Sequence, residues 1–191
     1  IAQKNSALEK CTSEWVLSID ADEVVSPELR EEIRDAIRDG NFDGYYINRK
    51  THYLGQLLDH AWQPDWNLRL VRLGCSPKWA GLDPHDRLEI SSKRTKKMRG
   101  HIVHYSYSGI AHHFAKTIDY ARISAKSYMA KGRKASFANL TINPIYAFLR
   151  LYFADGGWRD GTRGLIAAFS SMTGTFLKYA FLWDLERNSG K

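Results

Sequence analysis

The sequence predicts an α/β protein, a mixed sheet followed by C-terminal amphipathic helices. Three observations predict it. A short apolar run, Trp15 to Ile19, stops abruptly at Asp20-Ala21-Asp22-Glu23, the pattern of a buried strand with carboxylates at its C-terminal end. A well-signalled helix and then further strand patterns follow it, an order that gives a mixed sheet. From residue 112 onward apolar residues recur at helical spacing. The 191 residues are 43% hydrophobic and 26% charged, which excludes a disordered or collagen-like chain.

Each element has its own reason. Residues 2–11 read as a helix with Ala7, Leu8 and Cys11 on one side. Ser26-Pro27-Glu28 starts the next helix with a capping hydroxyl, a proline at the first helical position and an acid in the first turn. Leu29, Ile33, Ala36 and Ile37 form its apolar stripe and Gly40 ends it. Residues 43–54 and 67–73 read as strands, joined through the aromatic loop Trp62-Gln63-Pro64-Asp65-Trp66. Residues 76–89 read as a loop that holds Trp79, Asp83, His85 and Asp86, and 99–107 as another strand. Phe114, Ile118, Ala121, Ala125 and Tyr128 then mark a helix, and 144–154 and 163–183 two more. The longest apolar stretch, Leu165 to Trp183, contains six polar or glycine positions, from Ser170 to Lys178. It falls short of the about 20 mostly apolar residues of a spanning helix and suits a helix packed on the domain or lying on a membrane surface. Two parts are expected: residues 1–110, an α/β part, and residues 111–191, a basic helical extension.

The net charge of +7 conceals an asymmetry. Residues 1–90 carry 11 basic and 16 acidic side chains, and residues 91–191 carry 17 basic and 5 acidic. The acidic half suits cations or catalysis and the basic half anionic partners. Cys11 and Cys75 stand far apart, which excludes a disulfide scaffold or a cysteine-rich zinc site and fits a reducing compartment. The first residues, IAQKNSALEK, are polar and helical rather than a secretory signal, and they lack an initiator Met.

Chemistry concentrates at Trp15 to Glu23. Open α/β sheets bind ligands beyond the carboxyl ends of their strands. Asp20 and Asp22 are two apart, so on a continuing strand they share a face, and a divalent cation would relieve their repulsion. Oxygen ligands suit Mg²⁺ or Mn²⁺, which in turn neutralises a diphosphate. The competing reading is an acidic turn ahead of a capped helix. Lys4, Arg69 and Arg72 are candidates for phosphate contacts. Arg69 and Arg72 differ by three, so at most one faces the site on a regular strand, and Arg72 is the better candidate for a solvated charge. Trp62, Trp66 and Trp79 are candidates for stacking on sugar rings or for packing.

The ordered series Gln3-Lys4-Asn5, Trp15-Val16-Leu17, Asp20-Ala21-Asp22-Glu23, Tyr53-Leu54-Gly55, Pro64-Asp65, Leu68-Arg69-Leu70, His85-Asp86 and His104-Tyr105-Ser106-Tyr107 resembles the family 2 glycosyltransferases of the GT-A fold. It is most similar to bacterial members of lipopolysaccharide core biosynthesis, and the resemblance runs over essentially the whole chain. In such enzymes the first strand, first helix and base pocket precede the position of Gln3, so the resemblance implies a partial GT-A core, with the N-terminal nucleotide-binding segment lying upstream.

That resemblance implies an inverting, metal-assisted transfer from a nucleotide-sugar donor, a UDP-sugar, to a lipopolysaccharide-core or other glycolipid acceptor at the inner face of the bacterial cytoplasmic membrane. Asp22 is expected to ligate a divalent metal, Mg²⁺ or Mn²⁺, with Asp20 and His104 as further ligands. Lys4, Asn5, Asp20 and Arg69 are expected at the nucleotide-sugar, and Asp86 as the general base. His101 is three residues before His104 and would face the other side of a straight strand. The basic tail suits acidic phospholipid headgroups, a phosphorylated glycolipid acceptor, or simply solvent. No nucleic-acid partner is expected, because no nucleic-acid-binding motif accompanies the charge. Two other classes compete: a phosphatase of the haloacid-dehalogenase type, which also opens with Asp-x-Asp after an apolar strand, and a non-catalytic basic module binding membrane or nucleic acid.

Overall fold

The computed structural model describes residues 1–82 and 85–188, so Asp83 and Pro84 lie outside the described residues. The chain divides into two compact units, one of residues 1–51 and 64–105, the other of residues 52–63 and 106–188 among those described.

The first unit is built on a mixed sheet. Its strands are β1 (Trp15–Leu17), β2 (Glu23–Val25), β3 (Gly44–Tyr53, whose last two residues belong to the second unit and pair there with the short β4, Gln56–Leu57), β5 (Trp66–Arg72) and β8 (Thr95–His104). The order across the sheet is β1-β5-β3-β8-β2. Among the described residues only the β3–β8 pair of this sheet is parallel, while β1–β5, β5–β3 and β8–β2 are antiparallel. Strand alternation puts Leu70 and Val71 on opposite faces. Leu70 joins Leu29, Tyr45, Ile47, Met98 and Ile102 in one core, and Val71 joins Leu8, Leu68 and Leu88 in another.

Helix α2 (Pro27–Asp39) seals the first of these cores. It forms as its sequence dictates: the Ser26 hydroxyl accepts from the Leu29 N–H at 3.2 Å, Pro27 opens the helix, and Gly40 closes it at φ +61°. The helix lies so close to β8 that a Cβ at Gly100 would stand 2.5 Å from Leu29 Cα. The Glu32 carboxylate accepts from the backbone N–H of Arg99 at 2.9 Å and of Gly100 at 2.7 Å. Helix α1 (Ala2–Glu9) covers the other face with a hairpin of β6 (Lys78–Leu82) and β7 (His85–Glu89).

That hairpin corrects the expected loop at 76–89. Its apolar positions are sparse and its charges many, so period-two alternation does not show. What holds it comes from α1, far away in the chain: the Asn5 amide donates to the Trp79 carbonyl at 3.0 Å and accepts from the Trp79 N–H at 2.8 Å. β2, which the sequence pattern did not mark, pairs with β8 so that Glu23 stands opposite His104.

The second unit is helical: α3 (Ile110–Ala130), α4 (Phe137–Leu149) and α5 (Gly161–Asn188), with a π-helical turn over Arg150–Ala154 extending α4. Ser136 and Asn139 cap α4 reciprocally. Tyr128 of α3 meets Tyr179 of α5 at 6.1 Å between ring centroids, and Phe148 of α4 meets Phe169 of α5 at 4.9 Å. Gly164 permits a close turn, since a Cβ there would stand 1.7 Å from the Gly157 carbonyl oxygen. The buried Asp160 carboxylate accepts from the backbone N–H groups of Asp59, His60 and Ala61, which pins the segment 52–63 to the start of α5. A longer α5 also revises the expectation for 165–183: Gly157–Asn188 is long and apolar enough to cross a bilayer by length and composition, although α3 and α4 pack along it.

Candidate active site

A cavity of about 660 Å³ opens in the first unit beside β5, the hairpin and the start of α1. Four of the charged residues singled out in the sequence line it: Lys4, Asp20, Arg69 and Asp86. They come from α1, the β1–β2 turn, β5 and β7, elements far apart in the chain.

Lys4 is the hub on one wall. Its Nζ lies 2.7 Å from Asp86 Oδ2, 4.0 Å from Asp20 Oδ1 and 4.2 Å above the Trp79 ring. Burial pushes the Asp86 carboxyl up, but the hydrogen bond and charge of Lys4 outweigh it and hold it below the usual carboxylate range. Asp86 is therefore ionised at neutral pH, the form that accepts a proton.

Arg69 is the hub on the other wall. Its guanidinium is almost wholly buried, 2.7 Å from Glu23 Oε1 and 3.4 Å from Asp20 Oδ2. Glu23 has no exposed side-chain surface. It also accepts from the Asp20 N–H at 2.9 Å and lies 3.6 Å from Arg49 Nη1. Arg49, itself on the cavity wall, donates from Nε to Asp65 Oδ2 at 2.8 Å. A buried charge must be paired or it costs several kcal/mol, roughly 3–5 when a partner is removed, so this cluster fixes the β1–β2 turn.

The expected metal set does not assemble as a triad. No group of three His, Cys, Asp or Glu side chains able to hold a metal occurs among the described residues. The reason is the turn. β1 ends at Leu17, and the Glu23 N–H closes back onto the Asp20 carbonyl at 3.1 Å, so Asp20 and Asp22 do not sit on one continuing strand. Asp20 turns to Lys4 and Arg69 in the cavity. Asp22 instead meets His104, with Oδ2 3.3 Å from Nε2. Burial, then the Arg49 charge, push the His104 imidazole below its usual pKa, against the pull of Asp22 and Glu23, so it is neutral and can donate a lone pair to a cation. Two side-chain donors with further oxygens from a diphosphate and water fit how a hard divalent ion is held. Asp22 and His104 fit such an ion, and Asp20 does not join them.

Other expectations sort cleanly. Asn5 does not line the cavity, because its amide is engaged by the Trp79 backbone. Arg72 turns away to Glu14 at 3.1 Å and stacks on Trp15 at 4.9 Å, while Arg69 faces the cavity, as the spacing allowed for one of the two. Trp66 and Trp79 line the cavity, and Trp62 packs into the core of the second unit. His101 lines a separate hollow with Glu28 and Glu32. Sequence reasoning missed Glu23 as a buried anchor and Arg49 as a cavity cation. Glu23 follows the Asp-x-Asp directly, and only the pairing of β2 with β8 shows that its side chain turns inward.

Carboxylates beyond a strand end thus face cations across one cavity of a mixed α/β core, a lining open to an anionic ligand. Comparison with known proteins gives its family. The family described as glycosyl transferase family 2 matches residues 1–75. The chain is 30% identical over 188 residues to the lipopolysaccharide core biosynthesis glycosyltransferase LpsC of Rhizobium meliloti, a match covering 95% of this chain and 68% of that protein. It is 27% identical over 203 residues to an uncharacterized glycosyltransferase of Rickettsia prowazekii, covering 99% of this chain and 68% of that protein. The chain belongs to glycosyl transferase family 2. It is a glycosyltransferase, its sheet and C-terminal helices consistent with a partial GT-A core, and the phosphatase and non-catalytic readings give way to that.

Proposed function

We propose that this enzyme takes a sugar from a nucleotide-sugar donor, a UDP-sugar, and passes it with inversion to a glycolipid acceptor of the lipopolysaccharide-core type. The observation that carries the reading is the convergence of Lys4, Asp20, Arg69 and Asp86 on one cavity. The name of the Rhizobium relative supports the acceptor class.

In the proposed mechanism the ionised Asp86 takes the proton from the acceptor hydroxyl. The freed oxygen attacks the anomeric carbon from the face opposite the diphosphate. The bond to the diphosphate oxygen breaks as the new one forms, and its electron pair leaves with the diphosphate. Lys4, Arg49 and Arg69 supply positive charge where negative charge develops, in a site whose dipoles are fixed in advance. Asp22 and His104 would hold a divalent ion, Mg²⁺ or Mn²⁺, which when bound neutralises the diphosphate. A lipid-linked acceptor puts the enzyme at the inner face of the cytoplasmic membrane, a reading supported by the excess of 17 basic over 5 acidic side chains in residues 91–191.

The test is calorimetric titration of UDP with and without Mn²⁺, paired with a turnover assay. Metal-dependent UDP binding should persist in Asp86→Asn while turnover is lost, and Asp22→Ala should lose the metal dependence. Turnover unchanged in Asp86→Asn overturns the base. UDP affinity that ignores Mn²⁺ in the wild type overturns the metal role.

A further inference from the structure

Helix α4 carries an apolar face that the second unit leaves uncovered. Ile142, Ile145, Tyr146, Leu149 and Phe153 recur at three- and four-residue intervals, so they form one stripe along α4 and its π-helical extension. All five are exposed, from 47% to 62%, and Phe137 at the start of the helix is 82% exposed. The opposite side of the same helix is where it packs: Pro144 and Leu151 are buried and Phe148 rests on Phe169. From residue 137 to residue 149 the helix has no charged residue at all. Cations stand at both ends of it. Lys131, Arg133 and Lys134 precede it and Arg150 and Arg159 follow, all of them exposed, and Trp158 beside Arg159 is half exposed.

An exposed apolar stripe bracketed by cations is the chemistry of a helix lying in a bilayer interface, apolar face among the acyl chains and cations at anionic headgroups. The charge decides between occupants. A second copy of this chain seated face to face would set the Lys131-Arg133-Lys134 cluster against its own copy, or, antiparallel, against the end that carries Arg150 and Arg159, like charge against like either way. An anionic bilayer offers the opposite sign along the whole length of the stripe.

We propose that α4 with its π-helical extension is a membrane-docking element, inserting Ile142, Ile145, Tyr146, Leu149 and Phe153 into the interface of an anionic lipid bilayer. It deepens the reading of the enzyme as acting on a lipid-linked acceptor and rests on it only for its purpose, since vesicle binding is read without any turnover.

The experiment is flotation of the whole protein with vesicles of phosphatidylcholine alone and of phosphatidylcholine with phosphatidylglycerol. Wild type should float with the anionic vesicles and stay down with neutral ones, and 0.5 M salt (of the order needed to shrink the screening length to a few ångströms) should release much of it. Ile142→Asp/Leu149→Asp should weaken flotation by about tenfold or more. Lys131→Glu/Arg133→Glu/Lys134→Glu should abolish the preference for anionic lipid. Because all these side chains are exposed, both variants should keep the wild-type melting temperature, which checks that the fold survives. Wild type that ignores anionic vesicles, or flotation untouched in the Asp variant, overturns the proposal. So does sedimentation showing a wild-type dimer that the Asp variant dissociates, which would give the stripe to a second copy. Absence of UDP binding with flotation intact would overturn the UDP-sugar reading and leave the docking element standing.

Discussion

Lowering the pH should weaken the second unit through one imidazole. His113 on α3 is 1% exposed and sits in a closed chain of hydrogen bonds. Its Nδ1 lies 2.8 Å from the Tyr53 hydroxyl and its Nε2 2.7 Å from Ser170 Oγ. Thr117 gives its one hydroxyl proton to the His113 carbonyl, so Ser170 must donate to Thr117 across their 3.0 Å contact. Nε2–H then donates to Ser170, and Tyr53 donates to Nδ1. Only a neutral ring satisfies this chain, because a proton on Nδ1 would face the Tyr53 proton. Burial pushes the imidazole down to about 4 from 6.5. Between those values the unfolded chain binds a proton that the native one does not, so stability falls as pH falls through 6.5 and the loss is complete near pH 4. At 1.36 kcal/mol per pKa unit the whole effect is about 3 kcal/mol, of which about 2 kcal/mol is already present at pH 5. Urea denaturation of the wild type and of His113→Gln at pH 8 and pH 5 isolates it from the carboxylates, which titrate in both. The variant is expected to be the less stable at pH 8, with the gap shrinking by about 2 kcal/mol at pH 5. An identical gap at the two pH values would refute a buried neutral imidazole.

Glu23→Gln should destabilise the first unit by about 3 kcal/mol, because it leaves the buried Arg69 guanidinium with the more exposed Asp20 at 3.4 Å as the carboxylate that answers its charge; urea titration reads the loss. Gly100→Ala should cost about 2 kcal/mol or more by forcing α2 off β8, where Leu29 Cα leaves no room for a Cβ, and a melting curve reports it. Lys4→Met removes the charge that holds the Asp86 carboxyl down and leaves burial to raise it. The acid limb of the pH–rate profile should then move to higher pH, whereas a carboxyl governed by other groups would leave the profile in place.

Much of the fold was legible because local signals agreed with tertiary ones. The Ser26 cap, Pro27 and Gly40 that bracket α2 are all engaged as their types demand, and the stretch 43–54, read as a strand, holds β3. What escaped the sequence depends on pairing at a distance. Glu23-Val24-Val25 is too short to announce a strand, and it becomes one because β8 supplies the ladder. The hairpin at 78–89 is stabilised by Asn5, more than seventy residues away. The network around His113 joins Tyr53, Thr117 and Ser170 from three segments, and no spacing in the sequence brings those together.

The site shows the same division at finer grain. Residue type pointed to Lys4, Asp20, Arg69 and Asp86 because phosphate, metal and proton transfer each need particular side chains, and those four meet at one cavity. The error lay in extending β1 through Asp22. A two-residue spacing puts carboxylates on one face only while the backbone stays extended, and here the chain turns at Asp20, with the Glu23 N–H returning to the Asp20 carbonyl. That turn is held by the buried Glu23, whose carboxylate takes the Asp20 N–H with one oxygen and Arg69 with the other. The two aspartates are thereby sent apart, Asp20 toward Lys4 and Arg69, Asp22 toward His104. One buried acid thus divides the motif into two roles, an anion that orders the cationic walls of the cavity and a partner for the imidazole. Loosening Glu23 should therefore disturb both aspartates together, in contrast to Asp22→Ala, which leaves the Asp20–Arg69 contact in place.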